Sequence, residues 1–409
     1  MRYRIIKKAL YYSLNRLSQH FLIPYIDGIR KIKWLKLLHI LNIGLKTGLI
    51  TLLGLKGQKE PNIFVMGRDY VNWAVDRSYE DTKLLLRKSR AKITNNILKA
   101  THIYCVWYDY ILRDEYQWLY TLKRVLNHKI MVVVTNDIRN YEWKINKYRN
   151  FVDLWIVPST NIYNYLCRFD LRAYIIPTYL RNESFKLIKK TKKEICIELN
   201  LDYEKIKSKI VIGSFQRDSS KDLLTPKWQK NPDLLINILK SIPRGTYILL
   251  LAGPRRHYII NQCIKNEIPY IFYGDMEYIK SKRDDVLVNN QPINKINLLY
   301  NLSDVYIVSS RIEGGPLAIL EASITKTLIF STDVGFAKDF IHKDLIYSEL
   351  NIEKVTEFLS YYSKNKALIE EYIAFNYTKV NNTFMESNYI KYFENLIKIL
   401  KEKPNKKDL

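Results

Sequence analysis

Short apolar runs alternate with amphipathic segments along most of this chain of 409 residues. The apolar runs cover 62–66, 102–107, 129–135, 154–157 and 173–176 in the first half, and 209–212, 247–252, 270–273, 304–308 and 327–331 in the second. Short, nearly continuous apolar runs are typical of parallel strands that are buried on both faces. Helices are predicted between and after them, among others at 76–87, 233–241, 293–301, 316–324 and 388–401. The pattern therefore predicts an α/β protein with two parallel sheets.

The length of the chain exceeds what one compact core usually holds, so we expect more than one domain. We place a basic amphipathic segment at 1–60, a first α/β domain at 61–185 and a second at 186–385. A C-terminal helix and a charged tail follow at 386–409.

The segment 310–322 carries the most chemical information. Glu313 is followed directly by a Gly-Gly-Pro turn, and Glu321 comes eight residues after Glu313. Because a strand precedes this turn and a helix follows it, bare backbone N–H groups and the helix dipole favour an anion there. The neighbouring carboxylates can accept hydrogen bonds from sugar hydroxyls. The residues indicate a site for a phosphorylated sugar or a nucleotide.

A basic loop follows the first strand of the second domain. The strand runs into Gly213 and Ser214, and the loop then holds Arg217, Lys221, Lys227 and Lys230. The next helix is predicted to begin with Asn231 as its N-cap and Pro232 at its first position. Ligands of parallel sheets bind beyond the carboxyl ends of strands, and cations there stabilise a departing diphosphate.

Together these motifs resemble the donor site of retaining, two-domain glycosyltransferases of the GT-B fold, of the group 1 or family-4 type. In that family a Glu-x7-Glu segment follows a strand of the C-terminal domain, and this chain keeps both acids, Leu317 and Ala322. Gly315-Pro316 stands where an aromatic residue and a glycine are commoner. The resemblance is strong over 209–342 and weaker over 61–185. It implies two Rossmann-like domains that face a central cleft, preceded by the basic amphipathic extension.

The resemblance also implies roles for individual residues. Arg217 and Lys230 would stabilise the departing diphosphate, with Lys221 and Lys227 as rivals because the loop is longer than usual. Glu313 would bind hydroxyls of the donor sugar and Glu321 those of the ribose, in a front-face mechanism that the leaving phosphate assists. The catalytic candidates are thus Glu313, Arg217 and Lys230. The donor-binding candidates are Gly213, Ser214, Gly314, Gly315, Pro316, Leu317 and Glu321.

The first domain departs from the family pattern. Many members carry a histidine after the third strand, where this chain has Asn136 and Asp137. These two residues, with Asp69 and Asp109 at other predicted strand ends, are acceptor-side candidates that could equally be structural. The donor sugar and the acceptor therefore stay open.

Metal ligands are sparse in the sequence. The chain has no Asp-x-Asp pair, and its six histidines show no zinc-like spacing. We expect no metal and no cofactor beyond the UDP- or GDP-linked sugar itself. The four scattered cysteines are expected to be reduced and buried, as in a cytoplasmic protein.

The positive charge is concentrated near the N-terminus. The net charge is +25, and residues 1–60 hold 12 Lys or Arg against two acids. Basic and apolar clusters alternate there, which favours binding to an anionic membrane surface. The apolar stretch 37–55 contains His39, Asn42 and Lys46, so it is interpreted as interfacial rather than membrane-spanning. We expect a peripheral enzyme on the cytoplasmic face that acts on a lipid-linked or envelope glycan.

Two other functions stay open from the sequence. One is a nucleotide-sugar epimerase of the same fold, although the scarcity of histidines argues against it. The other is a non-enzymatic basic protein that binds membranes or nucleic acid. No nucleic-acid motif supports the second, so we expect no nucleic-acid partner.

Overall fold

The structure, a computed structural model, describes residues 60–67, 74–108, 111, 118–136, 138–181 and 183–402. The basic segment 1–60, including the stretch 37–55, lies outside the described residues except for Glu60. The described chain forms two compact units. The first lies within 60–157, 165–176 and 390–402, and the second comprises 158–164 and 177–389. The domain boundaries drawn from the sequence stay a prediction.

The first unit contains one parallel six-stranded sheet. Its strands are β1 (Asn62–Met66), β2 (Lys92–Ile93), β3 (His102–Cys105), β4 (Lys129–Val133), β5 (Leu154–Val157) and β6 (Ala173–Ile175), in the order β2-β1-β3-β4-β5-β6. The first four helices in chain order are α1 (Ala74–Lys88), α2 (Trp118–Leu126), α3 (Glu142–Tyr148) and α4 (Thr160–Cys167). The five strands predicted from apolar runs are confirmed, and the predicted ends of β3 and β4 were two residues too long. The two-residue edge strand β2 was missed because it is too short to show a pattern.

Two buried histidines lie beside the start of β3 and β4. His102 begins β3, and His128 precedes β4 directly. Burial lowers the pKa of both side chains to about 4. Between about pH 4 and pH 6.5, such an imidazole therefore takes up a proton only when the chain unfolds.

We expect the first unit to lose stability in mild acid. Each unfolded histidine binds a proton near pH 6.5, whereas the folded one does not until about pH 4, so its stabilising effect is complete above pH 6.5 and is lost as the pH falls. The loss between pH 7.5 and pH 5 should be about 2 kcal/mol per histidine. Urea unfolding at both pH values measures it. In His128→Gln this loss should shrink by about the contribution of one histidine, and an unchanged pH dependence would contradict the assignment.

The second unit also contains a parallel six-stranded sheet. Its strands are β7 (Ile210–Ser214), β8 (Tyr247–Ala252), β9 (Tyr270–Tyr273), β10 (Val305–Val308), β11 (Leu328–Thr332) and β12 (Ile346–Tyr347), in the order β12-β11-β10-β7-β8-β9. Strand β7 pairs with both β8 and β10. The chain thus builds the sheet outward from β7, first on one side and then on the other. This is the strand order of dinucleotide-binding folds, whose ligands bind where the order reverses.

Helices of this unit alternate with its strands. They are α5 (Lys192–Leu199), α6 (Pro232–Lys240), α7 (His257–Lys265), α8 (Met276–Lys280), α9 (Ile293–Leu302), α10 (Leu317–Ile324), α11 (Ala337–Phe340), α12 (Glu353–Ser360) and α13 (Lys366–Phe384). Helices α5 and α9 pack on β7 and β8 through the buried side chains of Cys196, Val211, Leu250 and Leu299. Each large aliphatic side chain buried in this way contributes roughly 1.5–3 kcal/mol. The two units confirm the predicted α/β class.

The described chain ends in α14 (Glu386–Lys401), whose residues from Ile390 onward belong to the first unit. There Tyr174 Oη donates a hydrogen bond of 3.1 Å to the carbonyl of Tyr392.

Within the described residues, no helix is both long and apolar enough to cross a membrane. Three of the four cysteines are buried thiols as expected, but Cys167 is exposed because α4 ends at the surface there, which corrects the expectation for that residue.

Candidate active site

The site lies where β7 and β10 run side by side in the second unit. Val305 pairs with Ile212, and Tyr306 pairs with Gly213, so the two strands end at the same edge of the sheet. Strand β7 extends two residues beyond its predicted end and includes Gly213 and Ser214. A Cβ atom on Gly213 would lie 2.6 Å from Ser303 Oγ, so glycine allows β7 to approach Ser303 at the C-terminus of α9 closely.

The Gly-Gly-Pro turn connects β10 to α10. Pro316 is the N-cap of this helix, which begins at Leu317, one residue later than predicted. A Cβ atom on Gly315 would lie 2.5 Å from the ring of Phe336. The Phe336 ring therefore occupies the space that a side chain at position 315 would need. The carbonyl of Gly314 accepts a hydrogen bond of 3.3 Å from the buried Ser159 hydroxyl.

Glu313 and Lys230 form an ion pair across this edge of the sheet. The Ser310 hydroxyl donates a second hydrogen bond of 2.9 Å to Glu313 Oε1. Both charged side chains are largely buried, which strengthens their interaction relative to one in water. The structure thus brings together two catalytic candidates that lie 83 residues apart in the chain.

Lys230 is held by a short 3₁₀ turn, Trp228–Lys230, that is bound to the end of β10. Ser309 Oγ donates to the Lys230 carbonyl at 3.0 Å, and the backbone N–H of Arg311 donates to the Gln229 carbonyl at 2.9 Å. These bonds place the Lys230 side chain beside Glu313 before any ligand binds.

Four cations interact electrostatically at this edge. Burial, followed by Lys230, Arg217 and Arg255, lowers the pKa of the Lys227 ammonium, while Glu313 opposes this effect. Burial and the charge of Arg255 also lower the pKa of Arg217. Like charges held this close favour an anionic ligand. Lys227 therefore belongs to this cationic group together with Arg217 and Lys230. Lys221 is an exposed residue of the same loop.

No role for Arg255 was predicted from the sequence. Its guanidinium makes two hydrogen bonds to Asp284, at 2.6 and 3.1 Å, and its backbone N–H donates to the buried Asp285 at 2.8 Å. The Asp284 pair raises the pKa of Arg255. The only signal in the sequence was the tandem Arg255-Arg256 shortly after β8.

A buried ion pair, Arg256–Asp218, lies beneath the cationic loop. Arg256 Nε lies 2.8 Å from Asp218 Oδ2, and Arg256 Nη2 donates to Ser214 Oγ at 2.9 Å. Arg256 is 0% and Asp218 1% exposed. Burial raises the pKa of Asp218 to about 6 although Arg256 opposes this effect. The donor-binding candidate Ser214 thus belongs to a buried network that also anchors the residue next to Arg217.

Glu321 lies on α10 and is partly buried. Its Oε2 atom accepts a hydrogen bond of 2.9 Å from the hydroxyl of Tyr300. Burial, followed by the charge of Glu321, raises the pKa of this tyrosine. The Tyr300 ring packs with Phe215 and Tyr306 at centroid distances of 5.0 and 5.1 Å. The Tyr300 hydrogen bond thereby orients the carboxylate.

The N-terminus of α6 differs from its expected form. Asn231 occupies the N-cap position and Pro232 the first turn, as predicted. The Asn231 backbone is left-handed, with φ 47° and ψ 57°, and its side chain makes no cap hydrogen bond. It donates instead to Glu349 Oε1 at 2.9 Å.

The acceptor-side candidates are mostly untested by the structure. Asp69, Asp109 and Asp137 lie outside the described residues, and Asn136 is an exposed residue shortly after β4. Among the residues that the structure describes, no three His, Cys, Asp or Glu side chains are grouped as metal ligands would be.

The family model for glycosyl transferases group 1 matches residues 225–374, which include Lys227, Lys230, Glu313 and Glu321. These residues form a group 1 glycosyltransferase domain. The chain therefore carries a glycosyltransferase domain over these residues, and the match disfavours the non-enzymatic basic protein that the charge had left open. No curated protein shows significant sequence similarity to the chain.

Solved structures of GT-B glycosyltransferases share the fold. HepE from Anabaena, solved with UDP-glucose, is 12% identical, with a TM-score of 0.59 over 83% of this chain and 99% of HepE. Sucrose-phosphate synthase from Thermosynechococcus elongatus is 15% identical, with a TM-score of 0.56 over 78% of this chain and 76% of that enzyme. A glycosyltransferase from Rickettsia africae is 14% identical, with a TM-score of 0.58 over 85% of this chain and 100% of that one. At these identities the similarity shows that the chain shares their fold.

Proposed function

We propose that the enzyme transfers a sugar from a nucleoside diphosphate sugar to a hydroxyl group of a glycan or lipid-linked acceptor. The observation that carries this proposal is the group of four cations, Arg217, Lys227, Lys230 and Arg255, beside Glu313. A diphosphate is the sugar-linked anion that such a group suits. HepE was solved with UDP-glucose, which supports a UDP-linked donor.

The cations would act on the leaving group. When the bond between the sugar C1 and the diphosphate oxygen breaks, the electron pair stays on that oxygen, and Lys230 and Arg217 stabilise the new charge. Because side chains supply this positive charge, we propose that the reaction needs no metal ion. Glu313 keeps Lys230 in place and can accept a hydrogen bond from a hydroxyl of the donor sugar.

We further propose that the transfer retains the anomeric configuration. The acceptor hydroxyl would attack from the face that the diphosphate leaves, and its proton would pass to the departing phosphate oxygen. The cations around the diphosphate hold it close to the sugar, so it is positioned to accept that proton. Glu321, oriented by Tyr300, would accept hydrogen bonds from the ribose hydroxyls.

The proposed setting is an anionic membrane surface on the cytoplasmic side. The sequence of residues 1–60, with 12 Lys or Arg against two acids, supports this proposal. The acceptor would then be a lipid-linked or envelope glycan.

Thermal-shift binding of UDP, GDP and their common sugar conjugates tests the donor proposal. One base should stabilise the wild-type enzyme, and Glu321→Gln should weaken that binding by about tenfold, since it removes a charged hydrogen-bond acceptor. Glu267→Gln, on the exposed surface of the same unit, should bind like wild type. If no nucleotide stabilises the protein, the donor proposal is wrong.

With the donor found, NMR of the first product distinguishes retention from inversion by the anomeric proton coupling. Turnover in excess EDTA should match turnover with added Mg²⁺. Loss of turnover in EDTA that Mg²⁺ restores would refute metal independence.

A further inference from the structure

Trp228 is unusually exposed for its position. The side chain leaves 57% of its surface accessible, yet it lies two residues before Lys230, which contacts Glu313. Tryptophan has a large apolar ring, and exposed rings beside polar groups commonly serve as contact surfaces for a ligand or partner. None of the roles assigned above uses this ring.

The backbone that carries the ring is also held in place. Arg311 Nη1 donates to the Trp228 carbonyl at 3.1 Å, and the Arg311 guanidinium lies 5.7 Å from the centroid of the indole. The backbone of Arg311 is bonded to the neighbouring Gln229. A ring on a fixed backbone loses less conformational entropy when a ligand binds than one on a loose loop, which favours recognition.

Planar polar groups lie next to the Arg311 guanidinium. Arg311 Nε lies 3.1 Å from Glu349 Oε1, which also accepts the hydrogen bond from Asn231. The Arg311 and Glu349 side chains are both partly exposed. Donors and acceptors in fixed directions are thus available beside an aromatic face.

This combination matches the chemistry of a pyranose. A pyranose presents a face of C–H groups, whose hydrogens are slightly positive, and a rim of hydroxyls. The electron-rich face of an indole attracts the C–H groups, and carboxylate and guanidinium groups bind the hydroxyls. An acyclic or fully charged ligand would use only one of these features.

We propose that Trp228, with Arg311 and its ion-pair partner Glu349 beside it, is a platform that binds the face of a pyranose ring. That this pyranose belongs to a sugar substrate of the enzyme rests on the proposed transferase function. Nucleobases also stack on aromatic rings. The position favours the sugar, because the ribose candidate Glu321 contacts Tyr300 and its aromatic neighbours, whereas the Trp228 turn contacts the end of β10 beside Glu313.

Fluorine NMR of protein labelled with 5-fluorotryptophan tests the platform. The chain has seven tryptophans, and the signal that disappears in Trp228→Phe belongs to Trp228. Methyl α-glucoside, methyl α-mannoside, methyl β-galactoside and methyl N-acetylglucosaminide would each be added up to about 50 mM, a range suited to weak binding. At least one glycoside should shift the Trp228 signal in a saturable way.

Two controls are built into the measurement. Trp143, in the first unit, is 61% exposed and matches Trp228 in exposure, so its signal should not move. Sorbitol, an acyclic polyol, should leave the Trp228 signal unchanged. By saturation-transfer NMR, Trp228→Ala should weaken glycoside binding by about tenfold, while Trp228→Phe should keep most of it because a ring remains. Equal melting temperatures would show that both variants fold.

Two results of the fluorine NMR experiment would contradict the proposal. If no glycoside shifts the Trp228 signal, or if UDP or GDP shifts it and the glycosides do not, the platform is not a sugar site. The nucleotides are added to separate samples, so the glycoside titration contains no nucleotide, and the donor panel contains no free glycoside. Failure of the platform would therefore leave the donor site standing, and failure of the donor site would leave the sugar platform standing without its role in transfer.

Discussion

Replacing Lys230 with methionine is expected to lower kcat/KM for the donor by about 10²–10³-fold, the usual effect of removing one group that stabilises charge in a transition state. Methionine keeps the length of the side chain but removes the charge beside the departing diphosphate. It also removes the ion-pair partner of Glu313, which would keep only the Ser310 hydrogen bond. Most of the loss should fall on kcat, because the charge on the leaving group develops in the transition state. Hydrolysis of the donor identified by the nucleotide panel measures it.

Lys240→Met is the matched control for this variant. Lys240 is an exposed residue at the end of α6 in the same unit, so kcat/KM should stay within about twofold of wild type, like most surface changes away from a site. Lys230→Arg should recover part of the activity because it restores the charge with a different shape. A loss of less than about fivefold in Lys230→Met would show that the lysine is not a main partner of the diphosphate.

Replacing Arg256 with methionine is expected to destabilise the second unit by about 3–5 kcal/mol at pH 7.5, since it leaves the carboxylate of a buried ion pair without its partner. Both members of the pair are almost completely buried. Asp218 would keep two donors, Ser219 Oγ at 3.1 Å and the Ile259 N–H at 3.2 Å. These do not replace a positive charge. Urea unfolding, followed by tryptophan fluorescence, measures the loss.

The chain offers a surface pair as a control. Arg244 and Glu267 lie 2.6 Å apart but are both exposed, so Arg244→Met should cost less than about 1 kcal/mol. The double variant Arg256→Met/Asp218→Leu should recover much of the stability, because removing both charges leaves none buried alone. If Arg256→Met costs no more than Arg244→Met, the buried pair does not stabilise this unit.

The pH dependence of this deficit follows from Asp218. Burial raises its folded pKa from 3.8 to about 6, so protonation of Asp218 favours the folded state. This stabilisation is complete below about pH 4 and is lost as the pH rises through 6. Without Arg256 the folded pKa should rise further. The deficit of Arg256→Met should therefore be smaller at pH 5 than at pH 7.5, and a deficit that grows toward pH 5 would contradict the assignment.

The strands could be predicted well from the sequence because each buried parallel strand needs a continuous apolar run. The runs at β1, β5, β8 and β9 were predicted with their observed ends. The edge strands β2 and β12 were not found, since two residues carry no periodic signal. Only pairing with an inner strand defines them.

The residues of the candidate site also differ in how well the sequence predicts them. Glu313, Glu321 and the Gly-Gly-Pro turn lie within a few residues of one another, so their relation is local and visible in the sequence. Lys230 could be predicted from the helix start that follows it. The participation of Lys227 stayed undecided among rival lysines, because a loop of variable length does not reveal which side chain turns toward the site.

The sequence by itself determined the two α/β units, the carboxylates of the Glu-x7-Glu segment and the cationic loop, because these depend on local periodicity, turn chemistry and spacing. Only the tertiary structure decided that Arg256 is buried against Asp218, that Arg255 joins the cations, that Phe336 fills the space beside Gly315, and that Trp228 stays exposed on a fixed turn. These contacts join residues that are distant in the chain. They arise when β7, β8, β10 and the loops after them come together at one edge of a sheet. They therefore cannot be predicted from any single segment of the sequence.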